Sequence, residues 1–148
     1  MVGPFLFVIV IIAIQASAVL LWALVLNAPI LQWRARVLRN WSINYKDAYF
    51  VSIKAGLVAV IVADAVISAF FFSGNRTMVT VGILCGILFG SVSWWSAHSN
   101  ALLKLAGPSS LFSAKDTRSI SASVFGSSFL VVFALMLIER LVSSLLSL

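Results

Sequence analysis

Charged residues are scarce in this chain: Asp, Glu, Lys and Arg together make up 9% of 148 residues, and only four of them are acidic. Soluble domains carry about 25%, so a water-facing globular surface is excluded. There is one cysteine, Cys85, which excludes an internal disulfide and a paired-thiol metal or redox site. There is also one histidine, His98, so the chain alone has no axial haem pair. No carboxylates cluster, and serines such as Ser121, Ser123, Ser127 and Ser128 have no base in a recognisable arrangement. The chain is therefore expected not to be an enzyme and to bind neither metal nor cofactor.

Apolar residues take the place of what is missing. They form 62% of the sequence, with a mean hydropathy of +1.13. A run of about 18 apolar residues crosses the roughly 30 Å hydrocarbon layer as a helix. In lipid every backbone amide must be satisfied, which leaves helices or a closed barrel. These runs are too long and too uniform for the alternating strands of a barrel. The expectation is an all-α polytopic integral membrane protein, four transmembrane helices in one compact bundle. The spans fall at about 4–26, 49–72, 77–97 and 120–145, with basic loops at 28–48 and 98–119. Gly3–Leu26 has no basic leader and is longer than a signal-peptide core, so it is taken as a retained span.

Proline and small polar residues mark the boundaries. Pro4 fits the first turn of span one, and Asn27-Ala28-Pro29 is expected to end it, because the residue before proline is pushed out of the helical region. Between about Leu31 and Trp41 a short amphipathic helix is expected to lie on the membrane surface. Ser73-Gly74-Asn75-Arg76 reads as a tight turn.

The formal charge is +6, and seven of the ten basic residues stand in the two long loops. Beside membrane spans such charge sets topology and meets anionic head groups, so membrane lipids are the expected partners and nucleic acid is not. Both loops are placed on the cytoplasmic or matrix side. Trp33, Arg34, Arg36, Arg39 and Trp41, with Trp94, Trp95 and His98 at the end of span three, are expected at the membrane interface.

Two intramembrane features bear on function. Gly82, Gly86 and Gly90 form a ridge at a spacing of four on span three, where missing side chains let another backbone approach. Contact within the bundle and contact with another subunit both fit. Asp64 lies near the middle of span two, where a carboxylate costs at least about 2.5–3.5 kcal/mol on insertion scales. It needs a partner, a proton or water. Counting from the span ends puts Arg140 at a similar depth, so an Asp64–Arg140 ion pair is expected, with an ion or proton relay through Asp64 as the alternative.

The first half of the chain resembles the transmembrane region of the B-cell-receptor-associated protein family of the endoplasmic reticulum. The resemblance rests on Leu24–Pro29, Gln32-Trp33-Arg34 and Asp64-Ala65-Val66, covers about residues 5–67 and is not carried further. It implies an endoplasmic-reticulum adaptor that engages other membrane proteins through intramembrane polar residues. From the residues alone, the expected function is a non-enzymatic subunit or adaptor packed on partner transmembrane helices. A small transporter or channel with Asp64 in its pathway is the alternative.

Overall fold

The computed structural model describes residues 2–71, 75–107 and 112–146, with side chains described at 10–71, 75–107, 112–131, 134 and 138. Every regular element among them is helical: α1 (Val2–Trp22), a π turn (Ala23–Asn27), α2 (Ala28–Arg39), α3 (Tyr45–Phe71), α4 (Arg76–Ala106) and α5 (Ala114–Leu146). Three stretches are long and apolar enough to cross a membrane: Val10–Arg39, Tyr45–Phe71 and Arg76–Ala106.

The neighbours run antiparallel. Gln15 meets Asp64 and Val19 meets Gly56 between α1 and α3, while Gly82 meets Phe70 and Gly90 meets Ala59 between α3 and α4. His98 meets Ser121 and Trp94 meets Phe125 between α4 and α5. The fold is an up-and-down bundle in which α5 packs beside both α4 and α2. At 31 residues, α4 measures about 46 Å, more than the hydrocarbon thickness, so its end reaches past the apolar layer. The basic ends of α2 and α4 and the starts of α3 and α5 gather at one end of the bundle, called the basic end below.

Span one does not stop at Asn27-Ala28-Pro29. Trp22, Asn27 and Ala28 all keep right-handed helical dihedrals, and the helix runs through to Arg39. The π turn explains how. Ala28 N–H bonds Ala23 O, a five-residue step. The next donor in that register would be residue 29, and proline has none. Leu24 O is instead bonded by the Tyr45 hydroxyl at 2.5 Å, from the start of α3. The proline is absorbed by a wide turn and a tertiary hydrogen bond.

Nor is 31–41 a surface helix. In α2, Ala28, Leu31 and Ala35 are fully buried in the main core with Val51, Leu102, Ile120 and Val124. Its apolar face covers protein rather than lipid. Asn40, in the left-handed conformation (φ 53°), ends it, and the amides of Asn40 and Trp41 turn back on the carbonyls of Arg36 and Ala35. Helix also takes up most of both expected basic loops, since α4 continues to Ala106 and α5 starts at Ala114. Ser73, Gly74 and Pro108 lie outside the described residues, as do the side chains of Pro4, Glu139 and Arg140.

Candidate functional site: an intramembrane polar groove

Asp64, on the half of α3 away from the basic end, lies in an open cavity of about 450 Å³ between α1 and α3. Ile11, Ile12, Ile67 and Phe71 make its walls, and Gln15, Asp64 and Ser68 supply its polar groups. Gln15 Nε2 donates to Asp64 Oδ1 at 3.2 Å, the one hydrogen bond of that carboxylate among the described residues. A carboxylate offers about four acceptor positions, so one amide leaves most of its capacity unused. The groove opens sideways because the part of α1 away from the basic end touches the bundle little; Ile11, Ile12, Ile14 and Leu21 are exposed. Gln15 was not singled out in the sequence. Its place among fifteen or so apolar neighbours was the available signal, since a buried amide in lipid calls for a partner.

The expected Asp64–Arg140 pair falls outside the described residues on its arginine side. The group found beside Asp64 is on α1.

The glycine ridge faces α3. A β-carbon added at Gly86 would come within 2.6 Å of Ile67 Cγ1 and 3.0 Å of the Ala63 carbonyl oxygen. At Gly90 it would lie 3.1 Å from Ala59 O, and at Gly82 2.5 Å from Phe70 Cβ. Phe70 and Ile67 of α3 fill the notch at Gly82 and Gly86, and at Gly90 the α3 backbone itself comes close at Ala59. Toward the basic end the same every-fourth-residue stripe continues as Trp94, His98 and Leu102, all buried, and α3 buries Ala48, Val51, Ser52, Ala55 and Gly56.

Trp94 and His98 therefore depart from the interfacial placement expected of them. Trp94 is 4% exposed, stacks on His98 at 4.6 Å between centroids and meets Trp22 edge-on at 6.0 Å. His98 Nδ1 lies 2.9 Å from Ser121 Oγ, whose own hydrogen goes to Thr117 O at 2.8 Å. With the Ser121 hydrogen on Thr117 O, the tautomer assigned to His98 carries its proton on Nδ1. His98 Nε2, Trp94 Nε1, Ser128 Oγ and both polar side-chain atoms of Asn27 are buried without a hydrogen-bond partner among the described residues.

The other interfacial candidates do surround the basic end. Trp33 is 54% exposed with the Arg34 guanidinium 4.3 Å from its ring, and Trp95 is exposed with Nε1 donating to Arg118 O. Trp41 stacks on Phe112, and Arg36 is exposed. Arg34 and Arg39 have specific protein partners. Arg34 donates twice to Ser127 Oγ, at 2.9 and 2.7 Å, and Arg39 pairs with Asp116 at 2.7 Å. Asp116 also closes the first turn of α5: its carboxylate accepts from the Ser113 amide and hydroxyl, and its amide bonds Ser113 Oγ. This is a reciprocal capping box. Those Ser113 bonds, the backbone one foremost, and the nearby Arg39 charge hold the Asp116 carboxyl below its ordinary range. Ser113-Ala114-Lys115-Asp116 was the sequence signal for that cap.

No group of His, Cys, Asp and Glu able to hold a metal ion occurs among the described residues. No protein-family model, curated protein or solved structure matches the chain.

Proposed function

We propose that this chain is a non-enzymatic membrane subunit or adaptor whose α1–α3 groove receives a transmembrane helix of another protein. The observation that carries the reading is Asp64, a carboxylate in a sideways-opening groove with a single amide donor among the described residues. A partner helix bearing Lys or Arg at that depth would neutralise the charge and fill the remaining acceptor positions. Apolar residues around Asp64 would pack on the partner, because helix association in lipid depends on van der Waals fit and interhelical hydrogen bonds. In this reading α5 is the fourth span, both termini lie on the side away from the basic end, and lipid covers the other helix faces. The organelle is the endoplasmic reticulum if the likeness of residues 5–67 reflects descent.

The test uses a photo-crosslinking residue at exposed Ser68, in the groove, and another at exposed Leu88 on α4. In native membranes Ser68 should give a discrete product with a second protein, Leu88 should not, and Asp64→Asn should abolish the Ser68 product. Loss in Asp64→Asn that Arg140→Gln restores would assign the cation to this chain and remove the argument for a partner. The same carboxylate also suits a proton carrier. In that case Asp64→Asn would leave crosslinking unchanged and stop pH-dependent flux in proteoliposomes, and the subunit reading would fail.

A further inference from the structure

The α3–α4 pair is tight where the glycines lie and open at the basic end. Gly86 stands opposite Ile67 and Ala63, and Gly90 opposite Ala59 and Ala63. Continuing that antiparallel register brings Lys54 level with Ala97 and Lys104 level with Asp47. There Trp94, His98 and Leu102 are buried against other parts of the bundle, and small Ala97 and Ala101 stand on the α4 side facing α3. The result is a cavity of about 760 Å³ on the bundle surface, away from the Asp64 groove, with Asp47, Lys54, Asn100 and Lys104 on its wall. Leu57 and Val58, both exposed, continue the same wall toward the membrane interior.

Charge and depth together specify an occupant. Lys104 and Asp47 mark the mouth, and Lys54 lies about 10 Å deeper, seven residues further along α3. Neither lysine has an ion-pair partner among the described residues, where Arg39–Asp116 is the one pair. Two cations against one carboxylate leave a single net positive charge. A lysine stem runs along apolar surface while its ammonium turns to the polar layer, so Lys54 and Lys104 converge on the head-group level from below and above. Basic pockets between membrane helices on this side suit lipid head groups.

We propose that this cavity binds one phospholipid, its singly charged phosphodiester held between Lys54 and Lys104, with an acyl chain laid along Leu57 and Val58. Asn100 donates a further hydrogen bond to the phosphate or glycerol oxygens. The site is independent of the partner-helix reading, since it involves neither Asp64 nor α1.

The probe is phosphatidylglycerol added to the full chain in mild detergent, with retained lipid counted by native mass spectrometry. Lys54→Gln and Lys104→Gln should each lower retention about fivefold, the factor one lysine contributes beside a charged membrane surface. Lys54→Arg should restore it, and Lys46→Gln, at the same end but off this wall, should leave it unchanged. Inorganic phosphate at equal concentration should not displace the lipid, whereas Leu57→Glu, which places charge on the acyl track, should. Unchanged retention in both lysine variants overturns the proposal, as does an equal loss in Lys46→Gln. Displacement by inorganic phosphate would reduce the cavity to an anion site with no lipid specificity and overturn it too.

Discussion

The two ends of the bundle are held by different forces. At the basic end the helices are tied by directed polar contacts: Arg39 to Asp116, Arg34 to Ser127, Gln32 to Ile43 O, Tyr45 to Leu24 O and His98 to Ser121. At the other end Gln15–Asp64 is the inter-helix side-chain hydrogen bond between described residues, and the glycine ridge against Phe70, Ile67 and Ala63 does the packing. The difference follows from the solvent. Near the polar layer, charged groups reach partners without full desolvation. Deeper in, apolar burial gains little over lipid, so close backbone approach becomes the main source of association. The polar end is thereby fixed, and Asp64, in the apolar half, is left facing an open groove.

The largest effect should come from breaking the apolar half. Gly86→Leu places its first carbon against the Ala63 carbonyl, and backbone cannot swing aside as a side chain can. Overpacking ordinarily costs about 1–3 kcal/mol, and this substitution should reach or exceed the top of that range. Gly126→Ala, whose added carbon meets nothing within 4 Å, should be near neutral. Thermal unfolding in detergent compares them. Equal, small shifts would mean that the ridge does not hold α3 to α4.

Much of this contrast was legible in the sequence, and where it was not the reason is specific. The second and third spans, expected at 49–72 and 77–97, lie within or nearly within Tyr45–Phe71 and Arg76–Ala106. Run length and the glycine spacing carried that information. The end of span one did not follow from Pro29, because a proline ends a helix only if nothing else absorbs the lost donor; here a π turn and a hydroxyl 21 residues away do so. Trp94 and His98 were placed by residue type, as span-end aromatics. Their spacing from Gly82, Gly86 and Gly90 was the better guide, since it puts them on the same buried stripe. Gln15 became visible as the neighbour of Asp64 only once the chain was folded.

A middle-sized effect should come from the polar end. Arg34 is partly buried and donates two hydrogen bonds to Ser127 across α2 and α5. Hydrogen bonds to charged groups contribute about 1.5–3 kcal/mol, and the solvent near this end lowers that to about 1 kcal/mol. Arg34→Met and Ser127→Ala should destabilise by similar amounts, and the double variant should cost little more than either alone. Full additivity in a thermal double-mutant cycle would show that the pair is not coupled.

The smallest effect concerns the Arg39–Asp116 tie and depends on pH. Asp116 has its carboxyl pKa lowered in the folded chain, chiefly by the Ser113 amide and hydroxyl and then by Arg39. A depressed carboxyl contributes stability that is fully present above its unfolded value, about 3.9 for Asp, and that is lost as pH falls through the folded value. Between pH 8 and 5 the stability difference between the natural chain and Asp116→Asn should therefore stay constant. Below about pH 4 it should narrow, because the protonated carboxyl resembles the amide. Ser113→Ala removes the hydroxyl bond and leaves the larger backbone one, so its stability should become only partly less sensitive to acid in that same window. Unfolding curves at pH 7, 5 and 3 in one detergent would resolve this. A difference that narrows already between pH 7 and 5 would assign the acid response to another group and leave the cap without a pH role.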